Sequence, residues 1–241
     1  MEQAEIHTSK IGKRVYRYLY ERRATRATTQ ELICRLSNSL PETVVFGGMI
    51  RDFSLGLARD FSSDIDLVSM ADRATILSVI DQYHPQTNKF GGFRFAVGGQ
   101  LFDIWSFQDT WAFKEGLVKG EQIEDICATT FFNMDAAYQP LKSKKIRSSR
   151  NYLDSVLSRT LDINLEPNPA PDKVAIRAIY MAIRRDVKIS PRLQLFILKN
   201  AANTSWKSEF TGSFLKLMAS HIEKFDSVPF SYRPQTNLFQ A

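Results

Sequence analysis

The sequence contains few cysteines and histidines and no long apolar run. Of its 241 residues, two are cysteine, Cys34 and Cys127, and three are histidine. This excludes a disulfide framework, makes a Cys/His zinc site unexpected, and predicts a reducing compartment such as the cytoplasm. No segment reaches the roughly 20 apolar residues of a membrane-spanning helix, and the first residues lack the apolar core of a signal peptide. We therefore expect a cytoplasmic protein with no membrane partner.

The overall composition is that of a folded, basic protein. Hydrophobic residues make up 44% of the chain and aromatic residues 12%, so the chain can bury a core. The formal net charge is +6 and the isoelectric point is near 9.3. Such a surplus of positive charge favours a polyanionic partner such as nucleic acid, although many basic proteins bind none.

The basic residues concentrate in two segments, residues 9–24 and residues 142–159. The first has apolar residues at helical spacing, which predicts a basic amphipathic helix. Two interpretations remain open for it. The commoner one is a helix packed against the domain with its charges in water, and the other is a contact with RNA.

Apolar periodicity predicts strands and helices in a mixed order. The expected strands are residues 44–46, 64–69, 93–97, 101–107 and 129–140. The expected helices are residues 29–39, 49–57, 71–83, 151–161, 172–185, 191–200 and 206–225. The sequence Gly98-Gly99-Gln100 predicts a β-hairpin between two of the strands. The predicted fold class is α+β, with a mixed-sheet head over residues 1–145 and a helical domain over residues 146–241.

Three aspartates are the candidate metal ligands. Asp64 and Asp66 are two residues apart on a predicted strand, so their carboxylates leave the same face. Asp103 lies among apolar neighbours on the hairpin, where an aspartate is unexpected unless it faces a site or a charge partner. Mg²⁺ prefers oxygen ligands and is commonly held by carboxylates together with substrate phosphates. Two such ions would suit phosphoryl or nucleotidyl transfer.

A pair of glycines, Gly47-Gly48, follows a predicted strand and opens a predicted helix. A glycine turn in this position exposes backbone N–H groups to a triphosphate without a Cβ in the way. Taken alone, a Gly-Gly turn is usually ordinary turn chemistry, and an Asp-x-Asp pair is usually a solvated loop. The two features together, at this spacing, are more informative.

The segment resembles the nucleotidyltransferase superfamily that includes DNA polymerase beta. It is most similar to the class II tRNA nucleotidyltransferases (CCA-adding enzymes) and the bacterial poly(A) polymerases, whose pattern is Gly-Gly-x-x-Arg-Asp, Leu-Gly and Asp-x-Asp. Residues 47–52, 55–56 and 64–66 fill that pattern. The resemblance implies a nucleotidyltransferase head with Asp64, Asp66 and Asp103 as catalytic ligands of two Mg²⁺ ions. It also implies that Gly47 and Gly48 hold the triphosphate of an NTP.

The resemblance is strong over residues 43–107 and weaker beyond them. The family's Arg-Arg-Asp-Phe-Thr-Ile-Asn strand is represented only by residues 127–133, which keep Asn133 and the aromatic character. The family's base-reading Glu-Asp-x-x-Arg has no counterpart in register at residues 170–174. The resemblance therefore implies a helical neck-like domain whose nucleotide recognition differs from that of the family.

The other candidate nucleotide-binding residues are Arg51, Asn133, Arg177 and Tyr180. Arg177 and Tyr180 fall at helical spacing with other basic residues of the neck-like helix, and Tyr180 offers a stacking surface. The alternative for the helical residues is a structural helix with solvated charges.

The expected function is the Mg²⁺-dependent transfer of a nucleoside monophosphate from an NTP to a hydroxyl, at the 3′ end of an RNA such as tRNA. A second hypothesis is the same reaction on a protein, a small molecule or a nucleotide, as in toxin or defence members of the superfamily. A third is a non-catalytic nucleotide- or RNA-binding module, which the three retained aspartates disfavour.

Overall fold

A computed structural model describes residues 2–21 and 27–201 of the chain. The predicted helix over residues 206–225 and the last residues of the predicted N-terminal helix lie outside this range. None of the helices in the described part combines the length and the apolar composition needed to span a bilayer.

The described residues form helices and strands in a mixed order. The helices are α1 (Glu2–Tyr20), α2 (Ala27–Ser39), α3 (Gly48–Ser54), α4 (Arg73–Ile80), α5 (Trp111–Lys114), α6 (Tyr152–Ser158), α7 (Pro171–Arg185) and α8 (Pro191–Ala201). The strands are β1 (Val44–Phe46), β2 (Ile65–Ser69), β3 (Gln86–Thr87), β4 (Phe93–Val97), β5 (Gln100–Ser106), β6 (Ala137–Pro140), β7 (Arg147–Ser148), β8 (Thr160–Leu161) and β9 (Lys188–Ile189). Short 3₁₀ turns occur at Asp81–Tyr83, Phe107–Asp109, Ile123–Thr129 and Asn133–Asp135.

Seven strands form one mixed sheet in the order β3-β4-β5-β2-β1-β6-β7. Strands β2 and β5 are parallel, whereas β1 is antiparallel to both β2 and β6. The hairpin of β4 and β5 forms as predicted, because Gly98 and Gly99 both adopt the positive φ that a tight turn requires, +58° and +79°. The predicted mixed sheet and α+β class are confirmed.

The two faces of the sheet are covered differently. Val45 packs in a cluster with residues of α1, α2 and α3, and we call this side the helix face. Val44 and Phe46 belong to a separate cluster on the opposite side, which we call the front face. This alternation follows from the two-residue period of a strand. Helix α1 is thus packed on the helix face, with its basic residues outward.

A further hydrophobic cluster joins α7 and α8 to the segment that precedes β6. It contains Phe132 and Met134 from that segment and Ala178, Ile179 and Leu193 from the two helices. Helix α7 begins at Pro171, whose missing N–H costs nothing at a first helical position. It ends at Arg185 and is followed by Asp186 in the left-handed conformation. The division of the chain at residues 145/146 remains a prediction.

Two predicted elements are wrong in part. The strand predicted over residues 129–140 forms only at β6, and irregular backbone with the 3₁₀ turn Asn133–Asp135 replaces its first part. The side chain of Asn133 explains the turn there, because its Oδ1 accepts hydrogen bonds from the backbone N–H groups of Met134 (2.8 Å) and Asp162 (2.9 Å). The helix predicted over residues 151–161 ends at Ser158, where Arg159 adopts a left-handed φ of +51° and β8 begins.

Candidate active site

Three carboxylates converge on the front face of the sheet. Asp66 on β2 pairs in register with Asp103 on the parallel strand β5, and Asp64 immediately precedes β2. Ile65 and Ile104 pack on the helix face, so the aspartates beside them point to the front. One oxygen from each of Asp64, Asp66 and Asp103 lies within 4.8 Å of the others. We call these residues the aspartate triad.

The electrostatics of the triad favour a bound cation. Burial, followed by the charges of Asp64 and Asp103, raises the pKa of Asp66 to about 7. A carboxylate in this position is costly to ionise without a positive partner, because its neighbours carry the same charge. The residues fit Mg²⁺, since the donors are all hard carboxylate oxygens and come from two strands of one sheet. Within the described residues this is the one group of three or more possible ligands that lie close enough to share an ion.

Arg94 on β4 is the residue at this site that the sequence interpretation missed. The hairpin register places it opposite Asp103. Its Nε donates to Oδ1 of Asp103 at 2.9 Å, and its Nη2 donates to Oδ2 of Asp64 at 2.9 Å and also to Oδ2 of Asp103. A signal was available, because a hairpin closed at Gly98-Gly99 pairs Val97 with Gln100 and, three residues further back, Arg94 with Asp103.

The glycine turn lies at the same end of the sheet as the triad. Phe46 pairs with Asp66, and Gly47 follows directly with a φ of +66°, which only glycine adopts without strain. The N–H of Gly47 donates to the carbonyl of Ala137 at 2.9 Å, so it is already used. Gly48 opens α3. Of the predicted triphosphate contacts, Gly48 is the one whose position fits, and the role of both glycines remains a prediction.

Arg51 is buried and bound to two carboxylates. Its side chain is 4% exposed, its Nε donates to Oδ1 of Asp52 at 2.8 Å, and its Nη1 donates to Oδ1 of Asp135. Although burial alone would lower the pKa of Arg51, the charges of Asp135 and Asp52 raise it above its ordinary value. A direct contact with a nucleotide, as predicted for Arg51, does not match this burial. Arg51 instead packs against Gly48 and helps to hold the glycine turn in place.

The neck-like helix α7 is attached to Asp52 by a second, partly buried ion pair. Arg185 donates to both carboxylate oxygens of Asp52, at 2.7 Å and 2.9 Å, across 133 residues of sequence. Burial alone would raise the pKa of Asp52, but the hydrogen bond from Arg185 and the charge of Arg51 hold it below its ordinary value. Neither Arg185 nor Asp135 was predicted, because no local pattern identifies partners so distant in the chain.

Comparisons with known proteins identify the fold. No model of a known protein family and no curated protein matches the chain. Among solved structures, a CCA-adding enzyme with ATP is 17% identical over 80% of this chain and 45% of its own, with a TM-score of 0.52. The CCA-adding enzyme of Thermotoga maritima complexed with tRNA is 17% identical over 88% of this chain and 49% of its own, with a TM-score of 0.53.

A tRNA nucleotidyltransferase complexed with a primer tRNA and an incoming ATP analog is 14% identical over 82% of this chain and 62% of its own, with a TM-score of 0.53. The fold is that of the CCA-adding enzymes. The resemblance inferred from the glycine and aspartate motifs is thereby confirmed at the level of fold. The chain spans between 45% and 62% of the length of these three solved structures.

Within this fold, the remaining predicted nucleotide contacts divide into two groups. The amide of Asn133 is occupied, because its Nδ2 donates to the carbonyl of Thr160 at 3.1 Å while its Oδ1 accepts two backbone N–H groups. A role for Asn133 in nucleotide binding therefore does not match its bonding, and the side chain instead ties the turn before β6 to β8.

Arg177 and Tyr180 are exposed on α7, and Arg177 reaches towards the site. The Arg177 side chain is 60% exposed, and its Nη2 lies 3.7 Å from Oδ2 of Asp135. The charge of Arg177 also acts to lower the pKa of Asp66, which places it within electrostatic reach of the triad. Tyr180 lies one helical turn further on, with the guanidinium of Arg184 5.5 Å from its ring centroid.

Proposed function

We propose that the protein is a Mg²⁺-dependent nucleotidyltransferase that moves a nucleoside monophosphate from an NTP to a hydroxyl at the 3′ end of an RNA. The observation that carries the proposal is the aspartate triad, which two parallel strands present beside the glycine turn. Support comes from the fold, since solved structures of that fold include a CCA-adding enzyme with ATP and a tRNA nucleotidyltransferase with a primer tRNA.

In this proposal Asp64 and Asp66 hold two Mg²⁺ ions and Asp103 completes one of them. Bound there, the ions would lower the pKa of the acceptor hydroxyl and neutralise charge on the phosphates. The oxygen of the acceptor hydroxyl forms a bond to the α-phosphorus of the NTP. The bond between that phosphorus and the oxygen that bridges the α- and β-phosphates breaks, and pyrophosphate leaves. The hydroxyl proton passes to solvent. The N–H of Gly48, at the start of α3, would donate to the phosphates of the leaving group.

The exposed face of α7 is the proposed nucleotide-binding side. Arg177 would meet the triphosphate, and Tyr180 would offer its ring to the base. Neither side chain is locked in the core, and Arg177 already lies near Asp135 and the triad. Arg185 and Asp52 connect α7 to α3. This connection would keep Arg177 and Tyr180 at a constant distance from the glycine turn that opens α3.

Replacing Arg177 with glutamine should weaken NTP binding at least about tenfold, because a hydrogen bond to a charged group contributes about 1.5–3 kcal/mol. Binding of a fluorescent NTP in the presence of Ca²⁺ would measure the loss. Arg192→Gln is the matched control, since that arginine on α8 is similarly exposed, at 54%, and pairs with Glu166. Equal affinities for the two variants would remove Arg177 from the proposed site.

The proposed reaction can be tested with each of the four α-labelled NTPs, in the presence and absence of total cellular RNA and with Mg²⁺ or EDTA. We expect label in RNA, only with Mg²⁺ and only with RNA present. Label on the protein itself or on a small product would instead support the same chemistry on a different acceptor. Mg²⁺-dependent NTP binding with no product from any acceptor would indicate a non-catalytic module.

A further inference from the structure

Arg94 places a positive charge directly on the ligands that the proposed metal site needs. Both oxygens of Asp103 accept hydrogen bonds from its guanidinium, and so does Oδ2 of Asp64. Strand β4 is antiparallel to β5, and its register holds Arg94 opposite Asp103. The contact is therefore built into the hairpin register.

The contact is uneven across the triad. Both carboxylate oxygens of Asp103 accept hydrogen bonds from Arg94, whereas only Oδ2 of Asp64 does. The described residues provide no side-chain hydrogen bond to Asp66. One divalent ion can therefore be held through Asp64 and Asp66 while Arg94 stays in place. A second ion that requires Asp103 must either displace the guanidinium or bind next to it, and both cost binding energy because the charges are alike.

The surroundings of Arg94 allow it to move. Its side chain is 53% exposed, whereas the side chain of Asp103 is only 12% exposed. An arginine that projects into water from a strand can turn outward at little packing cost. By contrast, Arg51 is 4% exposed and cannot leave its carboxylates without vacating the core.

We propose that Arg94 is a resident cation of the aspartate triad that competes with the ion bound through Asp103 and so separates the affinities of the two metal sites. This inference rests on the proposed function, because it takes the triad to be the metal site. With no NTP bound, Arg94 neutralises part of the triad and holds it together. The second ion binds only when it can overcome that charge, which delays completion of the site.

Titration of the folded protein with Mn²⁺ alone, followed by electron paramagnetic resonance of the free ion, would test the proposal. The wild type should bind Mn²⁺ in a tighter and a weaker phase. Arg94→Gln should tighten the weaker phase about tenfold, since a half-exposed charge is partly screened. The tighter phase should tighten by much less, because Arg94 contacts only one oxygen of the ligands of that ion, Oδ2 of Asp64. Arg94→Lys, which retains the charge, should stay close to the wild type.

Two controls keep the result specific. Arg73→Gln removes the same charge from an arginine near β4 whose partners are the carbonyl of Gly91 and the hydroxyl of Thr87, and it should leave both phases unchanged. In an Asp103→Asn background, Arg94→Gln should no longer tighten the weaker phase about tenfold, because the ligand for which Arg94 competes is gone. Circular dichroism of each variant would confirm that it is folded.

The possible outcomes separate this inference from the proposed function. If Arg94→Gln leaves Mn²⁺ binding unchanged or weakens it, while Asp66→Asn still reduces it, Arg94 does not compete and the inference is wrong although the metal site stands. If neither wild type nor Arg94→Gln binds Mn²⁺ at millimolar concentration, the metal site of the proposed function is itself wrong.

Discussion

Asp66→Asn is expected to reduce nucleotidyl transfer about 10³-fold or more, because it removes the central carboxylate of the triad from a site that acts by positioning charge. The substitution keeps the size of the side chain, so the fold should remain. Single-turnover transfer from a labelled NTP to RNA would measure the loss. Asp81→Asn, at an exposed position after α4, should retain the activity of the wild type.

The same variant has a second readout that does not depend on activity. The pKa of Asp66 is raised to about 7 in the folded protein, so the folded state binds a proton more tightly than the unfolded chain does. In EDTA, the stability of the wild type should therefore increase as the pH falls from about 8 towards 5, and Asp66→Asn should remove much of that increase. Identical dependence of stability on pH in the two proteins would contradict a raised pKa of Asp66.

Asp52→Asn is expected to lower the free energy of unfolding by about 3–5 kcal/mol, because the buried Arg51 and the partly buried Arg185 lose a shared charged partner. Arg51 would keep Asp135, but Arg185 would lose its charged partner and one of its two hydrogen bonds to that side chain, because an amide offers a single acceptor oxygen. Urea denaturation would measure the change. Asp154→Asn, on the exposed side of α6, is the matched control and should alter stability by less than about 0.5 kcal/mol.

A double-mutant cycle would show whether the cost arises from the contact between α3 and α7. Asp52→Asn and Arg185→Gln together should cost less than the sum of the single variants, with a coupling energy of about 2 kcal/mol. The pKa of Asp52 is lowered in the folded protein, so its contribution is present at neutral pH and is lost as the pH falls below about 4. Additive effects would mean that the ion pair does not hold the neck-like helix in place.

The candidate site was predictable wherever local pattern and strand register decide the geometry. Asp64 and Asp66 share a strand face because a strand has a period of two, and Asp103 follows from the motif order. The pairing of Arg94 with Asp103 could also have been predicted, since the position of the Gly98-Gly99 turn determines which residues of the two strands are opposite. It was missed because a basic residue on a predicted strand resembles an ordinary solvated position.

The rest of the site depends on contacts between distant segments. The bonding of Asp52 to Arg185 joins residues 133 apart, and no propensity or periodicity encodes it. Asn133 was predicted to bind a nucleotide, but its side-chain amide forms hydrogen bonds with the backbone of Thr160 on β8 and of Asp162 just after β8. Tertiary partners decide both cases, which is why a residue can match a motif and still serve the fold.

Sequence pattern alone also could not show which side of the sheet the basic helix α1 covers. Its charge pattern was compatible with RNA binding, yet α1 packs on the helix face while Asp66 and Asp103 point to the front face. The backbone of Gly12 on α1 lies against that of Lys144, where an added Cβ would approach the carbonyl oxygen to 2.3 Å. The contact brings the two basic segments together on a side of the sheet away from the triad, and an RNA contact there remains a prediction.

The most direct test of the account is transfer from an α-labelled NTP to RNA whose 3′ end is either intact or oxidised by periodate, which destroys the terminal diol. With wild-type protein and Mg²⁺, we expect label on the intact RNA, none on the oxidised RNA, and none on either with Asp66→Asn. Equal labelling of intact and oxidised RNA, or labelling that survives Asp66→Asn, would contradict a 3′-directed transfer by the aspartate triad.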